Sequence, residues 1–304
     1  MDQTPEAVQR WDELARAFPT LQRNVPLAQY SWVGLGGPAD LLLLARTRSE
    51  LIAVTQQAQA LGVPWRVFGG LSNCLIPDEG LRGLVVLNRT AEVRWDAEQG
   101  TVSAESGVMM IALAREAIQR GWDGLTWAVG LPGTLGGALV NNAGAGGEEI
   151  GSRLLQAQLL ASDGTLLEVG PAWFDYAYRY SRLKGRSAGQ WVLLAARLQL
   201  TPAAPHLLEA RAQEYLLRRR RSQPTGRSLG SVFANPPGDY AGRLIEAAGL
   251  KGKRIGGVMV SEVHANFFIN EGGTAADYRA LIAEVQAEVE RRFGVRLQPE
   301  IEIL

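Results

Sequence analysis

Glycines at 130, 133, 136, 137, 144, 146 and 147 crowd one short segment, Gly130-Leu-Pro-Gly-Thr-Leu-Gly-Gly-Ala-Leu-Val-Asn-Asn-Ala-Gly-Ala-Gly-Gly147. An apolar patch and the pair Asn141 and Asn142 interrupt them, so the segment does not have the composition of a flexible linker. Glycine lets a ligand approach the main chain closely. Clustered backbone N–H groups can then face an anion, as in phosphate-binding nests. A second turn, Phe68-Gly-Gly-Leu-Ser-Asn73, follows an apolar run and could hold the other side of the same ligand. Neither loop is a Gly-x-Gly-x-x-Gly fingerprint or a Gly-Lys-Ser/Thr phosphate loop. Either alone reads as a tightly packed turn. Together they point to a large phosphorylated cofactor.

Other side chains narrow the chemistry. Cys74 is the single cysteine, which removes intramolecular disulfides and multi-cysteine metal centres, and its apolar neighbours suggest a buried thiol. His206 and His264 are the two histidines, so a multi-histidine metal site is not expected. Lysine plus arginine equals aspartate plus glutamate at 31 each, leaving no net charge to draw in nucleic acid or an anionic membrane. The N-terminus has no basic region followed by an apolar core, and Leu41 to Ala45 is far too short to span a bilayer. A cytoplasmic protein is expected. The run Arg218 to Arg221 is either a solvated helix terminus favoured by the macrodipole or a source of cations for a diphosphate, Arg221 among them.

The elements that must position these residues are legible from periodicity. The chain is long enough for two or three compact domains. A helix is expected around Val8 to Phe18, an extended stretch near Val25 to Val33, and a buried strand from Leu41 to Ala45. Thr47-Arg-Ser-Glu50 has capping-box spacing, opening a helix that stops at Gly62. Val63 to Phe68 and Leu84 to Leu87 read as strands. A second lobe follows, with a strand at Thr101 to Ala104, a helix through Met110 to Ile118, a hairpin turning at Asp163-Gly164 and a strand at Trp191 to Leu200. Thr201-Pro-Ala-Ala-Pro205 resembles a hinge or domain boundary. Thr274-Ala-Ala-Asp277 starts a helix with an apolar face at Tyr278, Leu281, Ile282, Val285, Val289 and Phe293, and Gly294 stops it. Val295 to Leu304 alternates as a closing strand.

Several motifs occur in a fixed order: Gly69-Gly-x-Ser-Asn73, Gly130-Leu-Pro-Gly-Thr-x-Gly-Gly137, Asn142-Ala-Gly144, Tyr178-Arg-Tyr-Ser181, Gly230-Ser-Val-Phe-x-Asn-Pro236, Ala241-Gly-x-Leu-Ile-Glu246, Ser261-Glu-x-His-Ala-Asn266 and Pro299-Glu300. From about Tyr30 onward the chain resembles the UDP-N-acetylenolpyruvoylglucosamine reductase (UDP-N-acetylmuramate dehydrogenase) family. The short spacing from Arg179 to Ser231 is similar to its second type, which lacks a substrate-covering insertion. The resemblance implies an α+β fold: a two-lobed FAD-binding domain of the vanillyl-alcohol-oxidase (PCMH) type over residues 1–205, with lobes at about 20–90 and 91–205. A C-terminal α+β substrate-binding domain would span 206–304.

It also implies the chemistry. NADPH reduces FAD, and the flavin then reduces the enolpyruvyl ether of a UDP-sugar during peptidoglycan synthesis. Negative charge develops beside the substrate carboxylate, forming an enolate that must be stabilised and protonated. By resemblance Ser231 donates the proton, Arg179 contacts the carboxylate with a planar donor fork, and Glu300 completes the catalytic group. Tyr178, Asn235 and Arg221 are the further substrate-binding candidates. The cofactor would lie against Gly69, Gly70, Leu71, Ser72, Asn73, Gly130, Pro132, Gly133, Thr134, Gly136, Gly137, Asn141, Ala143 and Gly144. No metal, nucleic acid or membrane partner is implied, and a monomer is expected. His264 is read equally as a packed histidine or as a ligand contact.

Three positions depart from the family pattern. Leu71 replaces a common third glycine, Gly34 stands where a basic residue often precedes the Gly-Gly pair, and Ala234 replaces a polar residue. Another FAD-linked oxidoreductase of the same fold and a non-catalytic flavin- or nucleotide-sugar-binding relative are the competing readings.

Overall fold

The apolar run at Leu41 begins three residues earlier in the structure, a computed structural model that describes residues 5–185 and 190–304. Strand Pro38–Ala45 buries nearly every side chain, as a strand covered on both faces must. It belongs to a four-stranded sheet in the order Gln22–Pro26, Pro38–Ala45, Leu81–Asn88, Trp65–Phe68. The last two run parallel, with Trp65 opposite Leu84. Helix Arg48–Ala60 lies between Pro38–Ala45 and Trp65–Phe68 in sequence. Thr47 caps it by accepting the Glu50 N–H at 3.2 Å. The Glu50 carboxylate bonds to the Arg46 N–H, one residue before the position a capping box would use.

The chain divides into two compact units, and the first comprises Met1–Val25, Asp40–Gly70 and Arg82–Leu217. Besides the four-stranded sheet it holds a five-stranded antiparallel sheet, ordered Leu166–Val169, Leu154–Ala161, Trp191–Gln199, Thr101–Glu105, Val93–Asp96. The hairpin turns where expected: Leu160 faces Leu166, and Asp163 accepts the Thr165 N–H. Leu41, Leu43, Leu84 and Val86 share one core with helix residues Leu51 and Val54 and with Leu160, Val192 and Leu194 of the five-stranded sheet. A second core gathers Val102, Leu113, Ile118, Trp127, Leu139 and Leu198. Thr201–Pro202 is no free hinge: it pairs with Trp122–Asp123 and leads into helix Pro205–Ser222.

The second unit comprises Pro26–Ala39, Leu71–Leu81 and Arg218–Leu304. Helix Ala275–Phe293 buries Tyr278, Leu281, Ile282, Val285 and Val289 in a core shared with Val258, Val260 and Phe268 of a three-stranded antiparallel sheet. Phe293, the last residue of the expected apolar face, is exposed. Thr274 and Asp277 form the expected reciprocal capping box, and Gly294 ends the helix at φ +68°. The Asp78 carboxylate accepts the Ala275 and Ala276 N–H groups as well, placing negative charge at the positive end of the helix.

Two expectations give way here. In the stretch Val25 to Val33, strand Gln22–Pro26 ends and a 3₁₀ turn follows at Leu27–Gln29, because the Tyr30 and Ser31 N–H groups bond back to Leu27 and Ala28. The closing strand shrinks to Glu302–Ile303, since the preceding backbone bonds to residues 232 and 234 rather than to one partner strand.

Candidate functional site

The two glycine loops of the first unit meet. A Cβ on Gly69 would stand 2.1 Å from the Thr134 hydroxyl, so only glycine lets the turn at Phe68–Gly70 approach the Gly130–Gly137 loop. Thr134 is buried and caps helix Leu135–Val140 through the Gly137 N–H. The Leu135 and Gly136 amides donate to Val108 and Ser106, so these glycines serve packing as well as any ligand. Arg89 donates to the Gly69 carbonyl at 2.9 Å, and Met109 bridges to Thr134. Beside them lies a cavity of about 370 Å³ lined by Arg89, Val93, Gly107, Met109, Leu113 and Glu116, among others. Sequence reasoning missed Arg89. Its place next to Gly69 depends on the parallel pairing of Trp65–Phe68 with Leu81–Asn88.

The motif Tyr178-Arg-Tyr-Ser181 folds as a tight turn. Ala177 and Tyr180 exchange both backbone hydrogen bonds, leaving Tyr178 and Arg179 at the corner. Arg179 takes φ +54°, a conformation that costs a non-glycine residue about 1–2 kcal/mol. Its guanidinium donates to the Gly144 carbonyl at 2.6 Å and the Asn142 carbonyl at 3.3 Å, stacks 5.0 Å from the Tyr178 ring and lies 3.8 Å from Glu149. Buried Ser181 donates to the Val140 carbonyl at 2.6 Å, fixing the turn to the end of helix Leu135–Val140. The candidates Asn142 to Gly144 and Tyr178 to Ser181 are therefore one structural group. Asn141 caps the same helix, its side chain donating to the Gly137 carbonyl, and the Ala143 N–H returns to Ala138.

Ser231 lies in a cradle of main-chain bonds in the second unit. It bridges to Phe267, Val232 N–H donates to Asn266, and Glu300 N–H donates to the Val232 carbonyl at 2.8 Å. The side chain of buried Asn266 closes the cradle, accepting the Phe233 N–H at 3.0 Å and donating to the Phe233 carbonyl at 2.8 Å. On the other side of Glu300, its carbonyl accepts from the Asn73 side chain, and Glu302 pairs with Cys74 in parallel register. Ser231, Glu300 and the end of the first glycine turn thus converge through backbone, and both Ser231 and Glu300 are half-buried.

The remaining candidates sort by their partners. The Asn235 side-chain oxygen caps the Ala241 N–H. Arg221 is exposed in the last turn of helix Pro205–Ser222, whereas burial lowers the basicity of neighbouring Arg219. His264 is a packed, hydrogen-bonded histidine. Its Nδ1 accepts the Asn266 N–H at 3.2 Å, its ring meets Phe267 edge-on, and burial holds its pKa below the ordinary 6.5. Burial first and the Glu302 carboxylate second push the Cys74 thiol up, away from thiolate chemistry. Among the described residues no group of three or more His, Cys, Asp or Glu is arranged to hold a metal ion. Nor is any helix there long and apolar enough to cross a membrane.

Comparison with known proteins is consistent across both units. Residues 39–170 match the family model described as FAD binding domain, and residues 222–304 match that of the UDP-N-acetylenolpyruvoylglucosamine reductase C-terminal domain. A UDP-N-acetylenolpyruvoylglucosamine reductase from Rubrobacter xylanophilus is 42% identical over 296 residues, covering 96% of this chain and 97% of the relative. The chain belongs to the UDP-N-acetylenolpyruvoylglucosamine reductase family. A relative of the same name from Alkalilimnicola ehrlichii is 44% identical over 282 residues, covering 92% of this chain and 93% of its own. The crystal structure of the Thermus caldophilus reductase (MurB) superposes with a TM-score of 0.80 at 33% identity, covering 93% of this chain and 98% of that one. The α+β fold with an FAD-binding domain of two sheets and a reductase C-terminal domain is the architecture of this reductase family.

Two departures from the family pattern now have a physical account. Leu71 holds φ +51°, the left-handed conformation that favours glycine, and its side chain is buried, so burial offsets the backbone strain. At Gly34 the Arg227 side chain lies across the backbone, with Nη1 3.0 Å from where a Cβ would stand. A cation therefore covers the position where the family often carries one. Nothing in the structure explains Ala234.

Proposed function

We propose that this protein reduces the enolpyruvyl ether of UDP-N-acetylenolpyruvoylglucosamine to UDP-N-acetylmuramate, a step of peptidoglycan synthesis, with NADPH as the electron source. Family membership makes it an FAD-dependent oxidoreductase acting on a UDP-sugar. The residues present fit the cofactor: two glycine loops meet at Gly69 and Thr134, with Arg89 beside them, inside the matched FAD-binding segment. Gly69, Gly70, Gly130, Pro132, Gly133, Thr134, Gly136 and Gly137 would hold it, together with Leu71 to Asn73, Asn141, Ala143 and Gly144. FAD supplies hydride chemistry when bound; the protein supplies binding, orientation and control of charge.

Addition across the vinyl group requires one hydride and one proton, and charge accumulates beside the substrate carboxylate in between. Arg179 meets that carboxylate, its fork already oriented by the carbonyls of Asn142 and Gly144. Ser231 delivers the proton. A serine hydroxyl is a weak acid, sufficient because an enolate carbon is a strong base. Glu300 orients that hydroxyl, and Tyr178, Asn235 and Arg221 contact the nucleotide sugar. The observation that carries the assignment is the bond from Glu300 N–H to the Val232 carbonyl, which puts two motif residues distant in sequence on one short stretch of backbone. Residues 1–205 carry the cofactor and 206–304 the substrate, in a monomeric cytoplasmic enzyme.

An anaerobic titration tests this reading. NADPH should bleach the flavin of the purified protein, and the enolpyruvyl UDP-sugar should restore the oxidised spectrum in a one-to-one ratio. A flavin that NADPH bleaches but the sugar leaves bleached would favour another FAD-linked oxidoreductase. A protein purified without flavin and unable to take it up would favour a non-catalytic relative.

A further inference from the structure

Asn142 is a polar residue that is 2% exposed and holds φ +43°, a conformation that asparagine and glycine tolerate best. Every polar atom of its side chain is engaged. The amide nitrogen donates to Glu149 Oε2 at 2.8 Å and to the Ala177 carbonyl at 3.0 Å, and the oxygen accepts the Gly151 N–H at 3.1 Å. Ala177 opens the turn that carries Arg179. The carbonyl of Asn142 itself receives one arm of the Arg179 guanidinium, and Gly144, paired with Glu149 in a two-residue ladder, receives the other. Glu149 Oε1 then faces the guanidinium from 3.8 Å. The circuit is closed: one side chain grips the backbone of the turn and the carboxylate beside it, and its own carbonyl grips the cation.

We propose that Asn142, with Glu149, is the positioning residue for Arg179, setting the direction of its donor fork toward the substrate carboxylate. The inference rests on the reading of Arg179 as the group that meets that carboxylate. A guanidinium has five N–H donors in one rigid plane, so fixing one donor on each of two nitrogens fixes the direction of the rest. Asn142 achieves this from a buried position where its hydrogen bonds are not diluted by water. Its left-handed backbone is what aims the carbonyl at Arg179 while the side chain reaches back to Ala177. Glu149, more exposed, orients the cation without a tight ion pair that would compete with an incoming carboxylate.

The test uses FAD-loaded protein reduced anaerobically with dithionite, mixed rapidly with the enolpyruvyl UDP-sugar, and followed by the return of oxidised-flavin absorbance. Asn142→Gly keeps a residue suited to the left-handed backbone while removing the side chain. It should slow reoxidation about ten- to a hundredfold, the scale of a misplacement of about 1 Å. Glu149→Ala should slow it several-fold. In an Arg179→Ala background neither change should slow it further, because a positioning residue has nothing left to position. A hydrogen-bond swap, Asn142→Asp with Glu149→Gln, should recover part of the rate lost in Asn142→Asp alone. Slowing that multiplies with Arg179→Ala would overturn the proposal, as would wild-type rates in both single variants beside a slow Arg179→Ala. A wild-type rate in Arg179→Ala alone would instead remove the assignment of Arg179 on which it rests. Should Asn142→Gly lose its flavin, Glu149→Ala carries the same comparison from a half-exposed position.

Discussion

The turn that carries Arg179 and the cradle that carries Ser231 are built by opposite means. Arg179 occupies a strained φ and is oriented by contacts to its own side chain: two carbonyls, one aromatic ring and one distant carboxylate. Ser231 is placed by the main chain: it bridges to Phe267, and Val232 beside it donates to Asn266 and accepts from Glu300. In the role we propose for Arg179, a cation must point along a fixed direction to meet a carboxylate, and its tied side chain suits that. In the role we propose for Ser231, a proton donor needs a fixed Cα, which the tied main chain gives it. The first design should be sensitive to side-chain changes around it, and the second to loss of the backbone clamp.

Arg179→Ala gives the largest effect. Loss of charge stabilisation should slow flavin reoxidation by the enolpyruvyl sugar about 10²- to 10³-fold, read by stopped flow, while the unfolding midpoint stays near wild type. Equal damage to stability would mean the turn depends on the guanidinium and would erase the contrast. Asn266→Ala should do the reverse. It strands the Phe233 N–H and carbonyl in a buried site, at about 2–4 kcal/mol, read as a loss of unfolding free energy in urea.

Leu71→Gly sharpens the comparison at a smaller scale. Relief of the left-handed strain, about 1–2 kcal/mol, opposes the loss of a buried leucine, about 2–3 kcal/mol, so a net loss of about 1 kcal/mol is expected in the same urea titration. The smallest effect is the pH dependence of the His264 loop. Burial chiefly, with Lys251 adding to it, holds the folded-state pKa below 6.5, against smaller raising contributions from its own backbone and Glu246. The folded protein then binds this proton less readily than the unfolded chain. Stability from His264 is complete above pH 6.5 and declines as pH falls through its folded pKa. Melting temperature should therefore fall with acidification below pH 6.5, less steeply in His264→Gln, which keeps an acceptor without a titrating ring.

Local patterns survived into the fold where one segment decides its own conformation. The capping box at Thr274 and Asp277 and the Asp163-Gly164 hairpin depend on neighbours within a few residues, and both stand as expected. Glu302–Ile303 shows the limit. Its expected strand is mostly replaced by bonds to residues 232 and 234, which no alternation of side chains could reveal. The same applies to the site. The glycine loops and the ordered motifs could be read from residue types, because close approach and sharp turns demand them. Arg89 beside Gly69, Asp78 at the helix of Ala275 and Arg227 across Gly34 are long-range placements without a local signature. Asn142 was legible as a motif residue, but not as the hub around Arg179.

Two-step stopped flow on Ser231→Ala tests the central claim most directly: NADPH reduces the bound flavin, and the enolpyruvyl sugar then reoxidises it. Reduction should proceed at the wild-type rate and reoxidation at least about a hundredfold more slowly, the scale expected for loss of a general acid. If both steps slowed together, or if reoxidation kept its rate, Ser231 would not be the proton donor.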